Sequence, residues 1–240
     1  MIAMPRFFVP HISSDRILIS GEDARHMAKS LRLTIGDNIT LCDGKGWDYQ
    51  GTIEALGEEV TVRITAKEES KSEPLANVTL FQAMPKGDKM EFIIQKSVEL
   101  GVHEIVPILT SRCISRPDPK SMRKKVERYN KIASEAAKQS GRGIVPKVSQ
   151  LVTLEQAVER LPQKNIVFYE NGGSRLQELV DEKTLDIGVF VGSEGGFSME
   201  EIEFLGRHQV LPATLGQRIL RCETAPICGL SVIFSLTGDI

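Results

Sequence analysis

The chain has 240 residues, 41% hydrophobic and 26% charged, with a net charge of −2. That length holds one large domain or two modest ones around a real core, and that charge excludes a chain that is polycationic throughout. No apolar run approaches the roughly 20 residues of a membrane-spanning helix, and the N-terminal MIAMPRFFVP lacks the apolar core and cleavage site of a signal peptide. Cys42, Cys113, Cys222 and Cys228 are dispersed, with no CxxC pair. Neither a disulfide framework nor a metal site is expected, and a reducing cytoplasm suits such cysteine usage.

The N-terminal part reads as short strands at Phe7 to Val9, Ile17 to Ser20, Asn38 to Cys42, Trp47 to Ile53 and Val60 to Ala66. Asp43-Gly44-Lys45-Gly46 punctuates two of them as a hairpin turn does. One helix is predicted from Glu22 to Leu31, with Ala24, Met27, Ala28 and Leu31 on a single face. Together these predict a small β-barrel with an added helix. Lys67 to Pro74 is polar, lacks periodicity and ends in proline, which marks a linker. The expected domains are residues 1–73 and 74–240.

From Asn77 the pattern alternates. A strand at Val78 to Ala83 precedes a helix from Asp88 to Leu100, stopped by Gly101. A strand follows at Ile105 to Leu109, then a long helix from Ser121 to Ser140. Residues 111–147 hold eleven lysines and arginines against three acidic residues. Charge alone leaves two readings open there, a phosphate-binding face or a solvated helix. Later strands are expected at Ile166 to Tyr169, Ile187 to Val191 and Gln209 to Leu211. Ser198-Met199-Glu200-Glu201 fits a capping box that opens a short helix. The last helix is predicted to begin at Thr224 as N-cap, with Pro226 in its first turn. From Ala225 to Leu236 it is apolar on nearly every side, so its outer face needs a cover. Such alternation predicts a parallel α/β sheet.

Two loops stand out. Gly192-Ser193-Glu194-Gly195-Gly196 follows one strand, and Pro212 to Gly216 follows the next. Glycines let a ligand approach the main chain, and open α/β sheets bind ligands at the carboxyl ends of their strands. HExxH, GxxxxGK[ST], GxSxG and GxGxxG are all missing from the sequence, which argues against zincin, P-loop, hydrolase and ordinary dinucleotide readings. His11, His26, His103 and His208 are scattered and read as structural or surface groups.

GSEGGFS followed by LGQRILRCETA resembles the RsmE family of ribosomal RNA uridine-N3 methyltransferases, within the SPOUT superfamily. FQAMPKGDKMEFIIQKSVELGV, KIASEAAKQSGR and RFFVP are similar too, so the resemblance spans nearly the whole chain. One departure is Ser193, where the family usually has proline. The resemblance implies a C-terminal α/β domain with a deep trefoil knot, preceded by a PUA-like β-barrel that helps to bind RNA. It implies S-adenosylmethionine as cofactor, a homodimer, and 16S ribosomal RNA or the assembled small subunit as substrate. The rival readings are a related enzyme acting on a ribose 2′-hydroxyl or guanine N1, and a non-catalytic RNA-binding protein.

On that reading the cofactor is held by Tyr169, Glu170, Val191, Gly192, Glu194, Gly195, Gly196, Leu211, Leu215, Gly216, Ile219, Leu220 and Thr224. Leu211, Leu215, Ile219 and Leu220 are expected to sandwich the adenine. Methylating uracil N3 spreads negative charge onto O2 and O4, which arginine can stabilise. Arg221 and Arg142 are the candidates for that role, with Arg142 reaching from a partner subunit. Glu194 and Glu223 are candidate bases or arginine orienters, and an Arg221–Glu223 ion pair is the structural alternative. Arg6, Lys86, Arg112, Arg116, Lys124, Lys125 and Arg128 are expected to bind RNA.

Overall fold

The computed structural model describes residues 4–240, and the first three residues of the N-terminal MIAMPRFFVP lie outside them. The chain divides into two compact units, Met1–Glu73 with Ala137–Val145, and Pro74–Ala136 with Pro146–Ile240. The first unit thus takes in a second segment beyond the expected boundary.

The first unit is a five-stranded sheet. Its strands are β1 (Arg6–Phe8), β2 (Arg16–Ile19), β3 (Asn38–Cys42), β4 (Trp47–Leu56) and β5 (Val60–Glu69), in the order β1-β3-β4-β5-β2. β1 runs parallel to β3 and the other pairs are antiparallel. β1 and β2 stand at the two edges of this half-barrel sheet. Alternation along the strands buries Phe7, Ile17, Ile19, Ile39, Leu41, Ile53, Val60 and Val62 in one core. β5 runs on through Lys67–Glu69, which the polar composition had marked as linker. Tyr49 pairs with Lys67 and Trp47 with Glu69, and the Lys67 ammonium sits 4.2 Å from the Trp47 ring centre.

α1 (Gly21–Arg25) continues as a π-helical stretch, His26–Ser30, where one α-helix was predicted. The Leu31 N–H reaches back five residues to the His26 carbonyl. The wider turn keeps Ala24 and Met27 buried but carries Ala28 and Leu31 out to solvent.

The second unit is built on β6 (Asn77–Ala83), α2 (Lys89–Leu100), β7 (Glu104–Leu109), α3 (Pro119–Ser140), β8 (Lys147–Val148), β9 (Val152–Thr153) and α4 (Leu154–Val158). β10 (Lys164–Phe168), β11 (Ser174–Arg175), α5 (Leu176–Leu179), β12 (Asp186–Val191), α6 (Met199–Arg207), β13 (Val210–Thr214) and α7 (Thr224–Leu236) follow. The sheet order is β11-β13-β10-β12-β6-β7-β8, with β9 also on β7, and each pairing is parallel. Covered on both faces, its central strands are runs of buried apolar residues, such as Ile187 through Val191.

Helix ends follow local chemistry. Asp118 accepts the N–H groups of Lys120 and Ser121, so α3 begins at Pro119, two residues before the expected start. Ser198 and Glu201 form the expected capping box of α6. Glu223, not Thr224, is the N-cap residue of α7. β13 begins at Val210, because Gln209 takes a φ of 61° in the turn that leaves α6, and it extends through Pro212 to Thr214.

Gly101 ends α2 with a φ of 115°, and a Cβ there would come within 2.5 Å of Pro74 Cγ. Gly101→Ala is expected to cost about 2 kcal/mol from backbone strain and this clash. A thermal melt reads the loss, and an unchanged melting temperature would contradict it.

Candidate active site

Three parallel strands end side by side. β10 pairs with β12 through Val167 opposite Phe190, and with β13 through Phe168 opposite Ala213. Their carboxyl ends release Tyr169-Glu170, the glycine loop from Gly192 to Gly196, and the segment from Leu215 to Cys222. A cavity of about 510 Å³ lies between them. That volume suits a small organic ligand.

The cavity wall includes Tyr169, Glu170, Val191, Gly192, Glu194, Gly195, Gly196, Leu215, Gly216, Ile219, Leu220, Arg221 and Glu223's neighbour Cys222. Two of the expected cofactor residues are not on it. Leu211 lies on β13, 39% exposed, with its side chain set by strand alternation. Thr224 is exposed in the first turn of α7. Ser193, Thr214, Gln217 and Arg218, within the two loops, line the cavity too, and so do Lys89, Phe168 and Ala225, to which no local motif pointed.

The glycine loop is a tight turn, with the Gly196 N–H donating to the Ser193 carbonyl at 2.9 Å. Gly196 has a φ of 65°, and a Cβ there would sit 2.8 Å from Glu170 Oε1. Arg112 braces the loop from outside, its guanidinium donating to the Gly195 carbonyl at 2.9 Å. The Ser111 N–H donates to Glu201 at 2.6 Å, so the segment after β7 is tied to the start of α6 as well.

Two carboxylates in the cavity share one cation. Lys89 Nζ lies 3.0 Å from Glu194 and 3.2 Å from Glu223. The Lys86 N–H adds a bond to Glu194 at 3.1 Å. Burial works against the ionised form of Glu194, but the Lys89 and Lys86 bonds outweigh it and hold its carboxyl below the usual range. Glu223 is likewise lowered, against burial, by the Cys222 thiol and Lys89. Lys89 itself is raised, by its bonds to Glu194 and then Glu223. Glu223 pairs with Lys89. Arg221 is exposed on the cavity wall, as is Arg218.

Arg142 is not among the residues that line the cavity. It belongs to the first unit, is 3% exposed, and donates to Glu73 at 2.5 Å. Glu73 also accepts the N–H groups of Gly143 and Ile144. Within one chain Arg142 is thus held in a part-buried network with Glu73. Arg6 is similar: it pairs with Asp48 at 2.5 Å, its side chain 16% exposed. Arg116 donates to the carbonyls of Thr110, Ser111 and Cys113 and so shapes its own loop. Arg128 pairs with Glu91 at 2.7 Å. Lys86 and Lys124 are exposed, while Lys125 is half-buried. Among the described residues, no group of three or more histidine, cysteine or acidic side chains is placed to hold a metal ion.

A parallel sheet with a glycine-loop cavity at its strand ends, in a chain that also holds a small β unit, defines a class. The RNA methyltransferase domain model matches residues 71–234, and the RNA methyltransferase PUA domain model matches residues 19–65. The ribosomal RNA small subunit methyltransferase E of Bacillus subtilis (strain 168) is 34% identical over 226 residues, covering 90% of this chain and 88% of the relative. That of Synechocystis is 30% identical, over 92% of this chain and 73% of the relative. A crystal structure of the Neisseria gonorrhoeae ribosomal RNA small subunit methyltransferase E, bound to S-adenosyl methionine, superposes with a TM-score of 0.87 at 32% identity, over 97% of this chain and 98% of the other. A Legionella pneumophila methyltransferase solved with the same cofactor gives 0.86 at 33% identity, over 98% of each chain. The chain belongs to the RsmE family of ribosomal RNA small subunit methyltransferases.

Arg142→Ala leaves the part-buried Glu73 without its cation and is expected to destabilise the protein by about 3 kcal/mol. Urea denaturation measures this. A variant of wild-type stability that has lost methyl transfer would return Arg142 to the catalytic machinery.

Proposed function

We propose that the protein transfers the methyl group of S-adenosylmethionine to N3 of a uridine in 16S ribosomal RNA. The observation that carries this reading is the cavity at the ends of β10, β12 and β13, in a chain of the RsmE family. Its residues suit the cofactor. Phe168, Leu215, Ile219 and Leu220 offer apolar faces to an adenine, and backbone groups of the glycine loop and of Leu215 to Leu220 offer hydrogen bonds to its edge. Glu170 and the Lys89–Glu194–Glu223 cluster supply carboxylates for a cationic ligand. When bound, the cofactor supplies an electrophilic sulfonium methyl.

N3 lies on the Watson–Crick edge, so the uridine must be unpaired or flipped out. Arg221, exposed at the cavity, is the residue for the negative charge that develops on O2 and O4. Arg218 stands three positions before it on the same segment. Lys120, Arg123, Lys124 and Lys131 are exposed along α3 and supply positive charge for phosphate contacts. The PUA-type unit is the second RNA-binding element.

The proposal extends to a trefoil knot and a homodimer. In support of the knot, β12 lies between β6 and β10, and the cavity segment leads into α7, which packs on α2. In support of the dimer, Ile219 is 84% exposed and Val232, on α7, 38%. The four cysteines are free thiols, as a reducing cytoplasm would keep them. No helix among the described residues is long and apolar enough to cross a membrane.

The test is to incubate purified protein and cofactor with unmodified 16S RNA or small subunits, then to digest and weigh the nucleosides. 3-Methyluridine is expected. A ribose-methylated nucleoside or 1-methylguanosine would move the reaction to another position, and no methylated product with either substrate would contradict the enzymatic reading.

A further inference from the structure

A shared ion pair in the cavity ties together three separate segments of the chain. Lys89 stands in the first turn of α2, Glu194 in the glycine loop, and Glu223 at the entrance to α7. One ammonium bonds both carboxylates, at 3.0 and 3.2 Å, and lies 3.8 Å from the Cys222 thiol. The thiol in turn donates to Glu223 at 3.2 Å. The Lys86 N–H fixes Glu194 from the turn before α2. We infer that Lys89 is a positioning residue whose ammonium sets the spacing between the glycine loop and the α7 entrance, and with it the width of the cofactor cavity. The inference rests on the reading of that cavity as the S-adenosylmethionine site.

The physics is specific to this residue. Glu194 and Glu223 are drawn to one centre, their side chains 29% and 20% exposed. Without a shared cation two such carboxylates repel, and the pair relaxes by moving apart or by taking up a proton. Cys222 cannot replace the cation. Burial, and then its bond to Glu223, push its thiol up to about 12, so it stays protonated and neutral. The other charged residues on the cavity wall are Glu170, Arg218 and Arg221. Arg112 lies across the glycine loop, engaged with the Gly195 carbonyl. Arg218 and Arg221 are exposed, and solvent screens them. Lys89 is therefore the cation within bonding distance of both carboxylates.

The sign of the pH effect follows. Both carboxylates have folded pKa values below the ordinary range, so they stay ionised until the pH falls through those depressed values. Removing Lys89 raises them, and proton uptake moves to higher pH.

The experiment measures S-adenosylmethionine affinity by calorimetry for the wild type, Lys89→Met and Lys89→Arg between about pH 5 and 8, with glutamate carboxyl shifts followed by NMR on the cofactor-free proteins. Wild-type affinity is expected to be nearly flat over this range. Lys89→Met should bind tenfold or more weakly at neutral pH, with an affinity that changes with pH as its glutamates titrate. Lys89→Arg should recover most of the loss. A folded Lys89→Met with wild-type affinity throughout would overturn the proposal. So would a uniform weakening without any glutamate shift, which would mark Lys89 as a structural residue only. Should Lys89→Met not fold, Glu223→Gln cuts one of the two ties and should weaken binding several-fold; unchanged affinity there overturns the proposal. A wild-type protein that binds no S-adenosylmethionine would instead overturn the reading of the cavity itself.

Discussion

The site depends on one constraint, the pairing of β10 between β12 and β13. In a parallel sheet adjacent strands release their chains at the same edge, and backbone groups beyond the last ladder bond are left for loops or ligands to satisfy. With Val167 opposite Phe190 and Phe168 opposite Ala213, the strands end level with one another. The glycine loop and the segment before α7 then face each other across the end of β10. Shifting any one strand by a residue would turn its side chains to the other face and dismantle the cavity.

Packing reinforces that register. The Phe81 and Phe190 rings stack with centres 4.3 Å apart, joining β6 to β12 in the core. Gly229 on α7 lies so close to the Phe168 ring that a Cβ would collide with it. The helix after the cavity thus rests directly on the strand beneath the cavity. Gln82, fully buried on β6, donates to the Gly192 carbonyl at 3.2 Å and holds the loop where it leaves β12. The loop is therefore held from below by Gln82, from outside by Arg112 and from the side by Lys89. A cavity assembled from backbone needs such external braces, because glycines supply none of their own.

Local chemistry was readable in the sequence. The apolar run into Gly192 to Gly196, the Ser198 capping box and the Gly101 stop depend on neighbours within a few positions, and each formed. Tyr169, Glu170 and Leu215 to Arg221 reached the cavity for a related reason: they follow directly on strands that end there. What needed distant partners was not readable. Leu211 faced away because strand alternation set its side. The π turn after Arg25 redirected Ala28 and Leu31. Basic residues were the hardest class. Arg6, Arg142 and Arg128 pair with Asp48, Glu73 and Glu91, none of them close in sequence. A count of local charge cannot separate a cation committed to such a partner from one left for phosphate. Lys89 was missed for the same reason, since Glu194 and Glu223 lie more than a hundred residues away.

The most direct measurement is amide hydrogen exchange, read segment by segment with and without S-adenosylmethionine. If the cofactor sits between the two loops, protection should rise at residues 192–196 and 214–222 and at the end of β10, with little change across the sheet of the first unit. Protection that appeared elsewhere, or no change at either loop under saturating cofactor, would contradict the assignment of the cavity.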